Sequence, residues 1–300
     1  MLRPALLAAL ALVGVLLAGC ASPLDDLDAG VPRQDVTSAV APDPAAAALL
    51  PVPVRQAGVL TVGASIGGPP SAFKLADGVT VVGQDIDMTE AVARTLGLRV
   101  QRTEGTFDGI VPGLTSGKFD VATGNFAVTE ARKRSVSFVT YINDGQGFAV
   151  RADDPQPPIL DLADLCGRAV SVLAGSTFEA SLAKAQPRCP AAGRPPIDVR
   201  SYPDGATAQL ALAQRRADVT MSTINGLRYL VSQQPRLRFV NEYRRLDVGF
   251  ALAKDSPLIP AVHAAVERLM ADGTYARILA KWGTPTSALR TSQVDPPETA

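Results

Sequence analysis

Apolar positions along the chain have the spacing of β-strands in some segments and of α-helices in others. This pattern predicts alternating strands and helices over most of its length. Segments rich in β-branched residues, such as VLTVGAS (59–65), are typical of strands. In DMTEAVARTLG (87–97), Val92 and Leu96 share one helical face. Asp87 opens this segment with a glutamate three residues later, which is the spacing of a helix-capping box. The alternation predicts an α/β fold with an open parallel or mixed sheet.

A second set of strands and helices follows, and a weak internal repeat links it to the first. RAVSVLAG, IDVRSY and ADVTMST predict strands, and the segments between them predict helices. LTSGKFDV (114–121) and LAQRRADV (212–219) each run from a helix end to Asp-Val and then into a strand. An extended segment (248–255) and two closing helices (257–283) complete the pattern. We infer two similar α/β lobes.

Charge and motif content limit the function. Lys+Arg and Asp+Glu both number 29, and no basic stripe is present, so we expect no nucleic-acid partner. The chain has one histidine, which argues against a metal site. Neither a phosphate-binding loop nor a nucleophile elbow occurs. We therefore expect neither a metal nor a cofactor.

The first 53 residues are typical of a targeting segment and a tether. A basic start at Arg3 precedes 15 small and apolar residues ending at Gly19, which predicts a signal peptide over 1–19. The run stops at LAGC, which resembles the lipobox of bacterial lipoproteins and implies a lipid on Cys20 that anchors the protein to the cell membrane. An ordinary secreted protein is the alternative. The Pro-, Ala- and Asp-rich segment 20–53 predicts a flexible tether.

The other two cysteines, Cys166 and Cys189, form an even pair once Cys20 is lipidated. In an exported chain such a pair is typical of a disulfide. A metal site is the alternative, for which one histidine offers little support.

Six motifs occur in a characteristic order: GVLTVGAS, VGQDIDMTEAVARTLGL, TFDGIVPGLTSGKFDVATGNFAVTEARKRSVSF, VSVLAGST, ALAQRRADV and ADGTYARILAKWG. In this order the chain resembles the extracytoplasmic solute-binding proteins of polar amino acid ABC importers, bacterial solute-binding protein family 3. The resemblance implies a periplasmic-binding-protein type II fold, with two lobes, two hinge strands and a ligand cleft. It places lobe one at 54–146 and 250–288 and lobe two at 147–249, and leaves 289–300 as a flexible tail.

The function implied by the resemblance is the capture of an amino acid or amino-acid-like carboxylate for a membrane permease, by a monomer without enzymatic activity. One alternative is an exported enzyme resembling the cyclohexadienyl dehydratases. That enzyme would need a general acid in the cleft, and no motif-matched position is Glu, Asp or His. Another alternative is a tethered sensor that signals through a partner receptor.

Arg132 is the residue that the resemblance assigns to the ligand's carboxylate. A planar guanidinium can donate two parallel hydrogen bonds to a carboxylate. Its neighbours Lys133 and Arg134 are expected in solvent. In lobe two, Ser176 and Thr177 open a helix whose free amides and hydroxyls suit the same carboxylate. The other positions that the resemblance assigns to the ligand are Ser65, Phe107, Asn125, Ala127 and Thr223.

One assigned position departs from the family pattern. Thr223 stands where the family has a carboxylate that binds the ligand's ammonium group. The motif-matched pocket positions therefore carry one positive charge, from Arg132, and no negative charge. Because a cationic ligand would lack a counter-charge, we expect a zwitterionic or acidic ligand, and weak binding of lysine, arginine and histidine.

Overall fold

The computed structural model describes residues 28–299, which contain ten strands and eleven α-helices. The strands are β1 (Val59–Ala64), β2 (Phe73–Lys74), β3 (Val81–Val82), β4 (Arg99–Glu104), β5 (Val121–Thr123), β6 (Val136–Arg151), β7 (Ala169–Leu173), β8 (Asp198–Tyr202), β9 (Val219–Ser222) and β10 (Leu237–Ala253). The helices are α1 (Pro44–Ala48), α2 (Val52–Ala57), α3 (Gln84–Thr95), α4 (Phe107–Thr115), α5 (Glu130–Lys133), α6 (Thr177–Ala185), α7 (Arg188–Ala191), α8 (Gly205–Ala213), α9 (Ile224–Gln233), α10 (Ile259–Ala271) and α11 (Thr274–Lys281).

Two long antiparallel strands, β6 and β10, lie at the centre of one eight-stranded sheet, whose order is β4-β1-β5-β10-β6-β9-β7-β8. On one side, β1 pairs in parallel with β4 and β5. On the other, β7 pairs in parallel with β8 and β9. Each parallel set joins one end of the long pair. This arrangement confirms the predicted two-lobed α/β fold, in which two strands connect the lobes.

Each lobe has its own apolar core. The main core of lobe one takes side chains from both parts of the chain, from Ala46 to Ile142 and from Val248 to Trp282. The main core of lobe two lies between Phe148 and Met221. Val248 is fully buried in the first core, although the expected boundary assigns it to lobe two. The return crossing of β10 therefore lies a few residues earlier than expected.

The cysteine pair of lobe two is bonded. Cys166 and Cys189 form a disulfide with their Cα atoms 5.5 Å apart, and it links the segment before β7 to α7. By restricting the unfolded chain, a closed loop of this size contributes about 3 kcal/mol to stability. Among residues 28–299, no group of three or more His, Cys, Asp or Glu side chains is placed to hold a metal ion.

The expectation of a flexible tether is wrong for residues 28–53, which pack against lobe one. The Asp43 carboxylate caps α1 by accepting hydrogen bonds from the first amides of that helix. Ala46 and Leu50 are buried in the lobe-one core. The Asp28 carboxylate accepts a hydrogen bond from the Ala76 amide, at 3.0 Å. Apolar residues in this segment therefore bury enough surface to order it.

The membrane-targeting predictions depend on residues that the structure leaves out. Cys20 and the predicted signal peptide lie outside the described residues. Within 28–299, no helix is both long and apolar enough to span a bilayer.

The expectation of a flexible C-terminal tail is also wrong, as far as residue 299. The Asp295 carboxylate accepts a hydrogen bond from the Phe138 amide at 2.7 Å, and the Asp295 amide donates to the Phe138 carbonyl at 3.0 Å. Val294 forms a β-bridge with Val139. The tail is held because it satisfies backbone groups of β6 that its strand neighbours leave unpaired.

Candidate functional site

A cleft lies between the two lobes, above the carboxyl ends of the parallel strands, where ligands bind in open α/β sheets. Its cavity volume is about 60 Å³. The lobes touch across it, since the Ala206 amide donates to the Gly67 carbonyl at 2.9 Å. Its lining comprises Ser65, Gly67, Gly68, Pro69, Ser71, Ala72, Phe107, Gly124 and Asn125 from lobe one and Leu173, Phe178, Gly205, Gln209, Ser222, Thr223 and Gly226 from lobe two.

Asn125 projects from the loop after β5 in an unusual backbone conformation, with φ of 55°. Its side-chain amide donates to Asp144 at 2.9 Å, and its backbone amide donates to Asp85 at 3.1 Å. The preceding Gly124 has φ of 152°, and a Cβ atom there would lie 2.9 Å from the Cβ of Ser65. The tight turn therefore requires glycine, and it fixes Asn125 at the floor of the cleft.

Two carboxylates behind Asn125 are fully buried. Asp85 on α3 accepts a hydrogen bond from the Tyr141 hydroxyl at 2.8 Å. Asp144 on β6 accepts one from the Asn225 amide at 3.1 Å, so it connects Asn125 of lobe one with α9 of lobe two. Burial raises the pKa of Asp85 to about 7 and that of Asp144 to about 6, against the hydrogen bonds that both accept.

We expect Asp85 to make stability fall as the pH rises from about 4 to 7. Its pKa is about 7 in the folded protein against an ordinary 3.8, so the folded state binds more protons than the unfolded state in this window. This favourable contribution to the unfolding free energy is complete below pH 3.8. It is lost as the pH rises through about 7, the pKa of Asp85 in the folded protein. Relative to Asp85→Asn, the wild type should lose about 3 kcal/mol of unfolding free energy across the window.

Urea unfolding of both proteins at several pH values measures this difference. The constant cost of placing an amide beside Tyr141 cancels, because only the change with pH is compared. Parallel pH profiles for the two proteins would contradict the prediction.

Arg132 lies on α5 at the edge of the cleft. Its guanidinium stacks over Phe107, 5.3 Å from the ring centre, and over Phe126 at 5.6 Å. It donates to the Ala127 carbonyl at 3.0 Å and, across the cleft, to the Gly175 carbonyl at 3.5 Å. Burial lowers the pKa of Arg132 to about 10, and the Glu298 carboxylate opposes that shift, so the side chain stays charged at neutral pH. A charge held in this setting is suited to binding an anion.

A second space, the side cavity, adjoins the cleft at Arg132 and has a volume of about 240 Å³. Three cations line it, from Arg132, Lys184 and Arg244. Glu298 supplies its one carboxylate. The remaining polar lining consists of Thr129, Gln146, Ser176, Thr177 and Ser181.

The expected anion seat of lobe two lies beside this cavity. Ser176 is the N-cap of α6, and its hydroxyl accepts a hydrogen bond from the Glu179 amide at 3.3 Å. The Glu179 carboxylate in turn accepts the Gly175 amide at 2.8 Å. The amides of Gly175, Ser176 and Glu179 are thus already engaged, while Thr177 opens the helix on the cavity side.

Thr223 lines the cleft, and it also caps α9 by accepting a hydrogen bond from the Gly226 amide at 3.0 Å. A threonine hydroxyl that caps a helix keeps its own proton to donate. It supplies no charge, and the described residues that line the cleft include no carboxylate. Asp85 and Asp144, the buried acids, stand behind Asn125.

The sequence-predicted positions fall into two adjoining groups. Ser65, Phe107, Asn125 and Thr223 line the cleft. Arg132, Ser176 and Thr177 line the side cavity, and Ala127 contributes the carbonyl that Arg132 binds. The residues that sequence reasoning missed include Phe178 and Gln209 in the cleft and Asp85 behind it.

Lys133 is placed differently from the expectation. Its side chain is only 15% exposed and donates to the Pro296 carbonyl at 2.8 Å, whereas Arg134 is exposed as expected. The ordered C-terminal segment, which the sequence analysis treated as flexible, removes Lys133 from solvent.

Comparisons with known proteins agree with this geometry. The model of the family of bacterial extracellular solute-binding proteins, family 3, matches residues 60–285. An arginine-binding protein, ArgT, from Corynebacterium glutamicum is 33% identical over 81% of this chain and 80% of its own. The solved structure of an ancestral arginine-binding protein bound to glutamine is 34% identical, with a TM-score of 0.67 over 75% of this chain and 97% of its own. The ancestral amino acid-binding protein AncCDT-1, a precursor of cyclohexadienyl dehydratase, is 29% identical, with a TM-score of 0.69 over 77% of this chain and 97% of its own.

Proposed function

Because the chain belongs to family 3 of the bacterial extracellular solute-binding proteins, we propose that it captures an amino acid outside the cytoplasmic membrane and presents it to the permease of an ABC importer. The observation that carries the proposal is the partly buried guanidinium of Arg132 at the edge of a cleft between two lobes. Among residues 28–299, only two strands, β6 and β10, run through the sheet from one lobe to the other.

Ligand binding favours closure when the ligand contacts both lobes, because only the closed state offers both sets of contacts. In this protein a ligand carboxylate bound at Arg132 would face the start of α6 across the side cavity, which Arg132, Ser176 and Thr177 line. It would take the place of the Gly175 carbonyl as the acceptor of the guanidinium. The ligand's amine would meet hydroxyl and amide groups of Ser65, Asn125 and Thr223 in the cleft.

We propose a zwitterionic or acidic amino acid as the ligand. The described lining residues of the cleft supply neutral hydrogen-bonding groups, and the adjoining cavity has three cations against one carboxylate. Neutral ligands are compatible with this scaffold, since a related ancestral protein was solved bound to glutamine. A cationic side chain would enter a partly desolvated space without a counter-charge, which is costly.

A thermal-shift screen followed by calorimetry tests this proposal. We expect glutamine-like or acidic amino acids to stabilise the protein, by about 2.7 kcal/mol at a hundred times the dissociation constant. Lysine, arginine and histidine should shift the melting temperature far less. Micromolar binding of arginine with silent acidic and neutral ligands would contradict the ligand class, and no binding of any amino acid would contradict the function itself.

The remaining parts of the proposal concern location and activity. We propose that Cys20 carries a lipid anchor, that the protein acts as a monomer, and that it is not an enzyme. A dehydratase on this scaffold needs a general acid at the substrate, and the described cleft lining offers none. Intact-mass measurement of the membrane fraction tests the anchor, because lipidated Cys20 adds a diagnostic mass.

A further inference from the structure

The helix that carries Arg132 is too short to be stable alone. α5 contains four residues, and an isolated helix of this length has no stability in water. The Thr129 hydroxyl caps it by accepting the Arg132 amide at 3.2 Å. The remaining order at this position must come from tertiary contacts.

Those contacts come from the C-terminal strap, which we define as residues 294–299. The Glu298 carboxylate accepts a hydrogen bond from the Glu130 amide at 2.9 Å, and the Glu130 carboxylate accepts the Glu298 amide at 3.2 Å. At the other end of α5, Lys133 donates to the Pro296 carbonyl at 2.8 Å. The strap therefore holds the residues on both sides of Arg132.

The strap is itself anchored to both long strands that connect the lobes. Asp295 exchanges two hydrogen bonds with Phe138 of β6. The second oxygen of the Glu298 carboxylate accepts a hydrogen bond from Arg244 of β10 at 2.9 Å. The Thr299 carbonyl accepts from the same guanidinium, at 3.2 Å from its Nε. The position of α5 is thus tied to the strands that connect the lobes.

The strap lies outside the part of the chain that the family model matches, which ends at residue 285. We propose that the C-terminal strap positions Arg132 for ligand binding, with Glu298 as its central residue. This inference rests on the proposed function for its effect on binding, but its effect on α5 is independent of any ligand. The physical basis is preorganisation, because an Arg132 side chain that is already ordered loses less entropy when the ligand binds.

Hydrogen exchange of the ligand-free protein tests the first half of the proposal. In Glu298→Gln, amides in the peptide covering 127–135 should exchange at least about fivefold faster, since a neutral amide is a weaker acceptor for the Glu130 amide. Asp198→Asn is the matched control. It removes the same charge from an exposed pair with Arg200 on β8, and it should leave this peptide unchanged. Equal exchange in the wild type and Glu298→Gln would overturn the proposal.

Calorimetry with the amino acid found in the screen tests the second half. We expect Glu298→Gln to weaken binding about tenfold, and to do so through Arg132. In an Arg132→Lys background the planar guanidinium is already lost. There the same substitution should weaken binding less than twofold. A cost that is equal in both backgrounds, or a wild-type affinity in Glu298→Gln, would overturn the positioning role. Failure of every amino acid to bind the wild type would instead count against the proposed function, with the exchange result still deciding the strap.

Discussion

Replacing Arg132 by alanine is expected to weaken ligand binding severely. Removing one partner of a buried, charge-assisted pair costs about 2–5 kcal/mol, which corresponds to roughly a 30-fold to several-thousand-fold loss of affinity. In this protein the guanidinium is held over two aromatic rings, and its acceptor across the cleft is a carbonyl that a carboxylate can replace. Calorimetry on the amino acid found in the screen measures the loss.

Arg134 provides the matched control for this prediction. It follows Arg132 by two residues, at the C-terminal end of α5, and its side chain is exposed. Arg134→Ala removes the same charge and should change the affinity less than twofold. Arg132→Lys should recover part of the binding, because an ammonium group attracts a carboxylate but cannot form two parallel hydrogen bonds. An Arg132→Ala affinity within twofold of the wild type would contradict a role for Arg132 in binding the ligand's carboxylate.

A second large effect is expected on stability, from Gly145→Ala. Gly145 lies in β6 where that strand leaves lobe one, with φ of 145°. An added Cβ would overlap the carbonyl oxygen of Arg244 on β10 and lie 2.7 Å from the Cα of Arg245. Because both strands are fixed by the ladder between them, the backbone cannot move aside at low cost. We expect a loss of about 3 kcal/mol or more of unfolding free energy, measured by urea denaturation.

Gly117→Ala separates the collision from the backbone conformation. Gly117 also has a positive φ, of 77°, but no atom within 4 Å would meet its added Cβ. The conformational cost alone is about 1–2 kcal/mol. A Gly145→Ala protein no less stable than Gly117→Ala would show that the two long strands adjust more easily than their pairing suggests.

The sequence predicted the fold well because buried parallel strands and amphipathic helices leave strong patterns. It was less informative where distant residues decide the local structure. Asp87 has the spacing of a helix cap, yet α3 begins at Gln84. The Asp87 carboxylate instead accepts a hydrogen bond from the Trp282 indole N–H at 2.7 Å and forms a salt bridge with Lys281 at 2.8 Å. Both partners are almost 200 residues away in the chain. No local pattern contains that information.

The same limit applies to the candidate site. Motif order predicted that Asn125 and Thr223 follow strand ends. In the structure both residues line the cleft. It gave no sign that Asn125 is held by Asp85 and Asp144, because those residues come from a helix and a strand elsewhere in the chain. Lys133 was expected in solvent because the residues that cover it lie more than 160 positions later. Assignments that depend on local spacing were therefore easier than those that depend on packing.

The division of the two cores along the chain has a consequence for the order of folding. The lobe-two core draws on one continuous stretch, so it can form before the last part of the chain is available. The lobe-one core needs both the residues before Ile142 and those after Val248, and more than 100 residues separate the two groups. Bringing them together costs loop entropy, and a lobe two that has already folded shortens that loop. Lobe two, in the middle of the chain, is thus placed to fold first, and the first part of lobe one waits for the last helices of the chain.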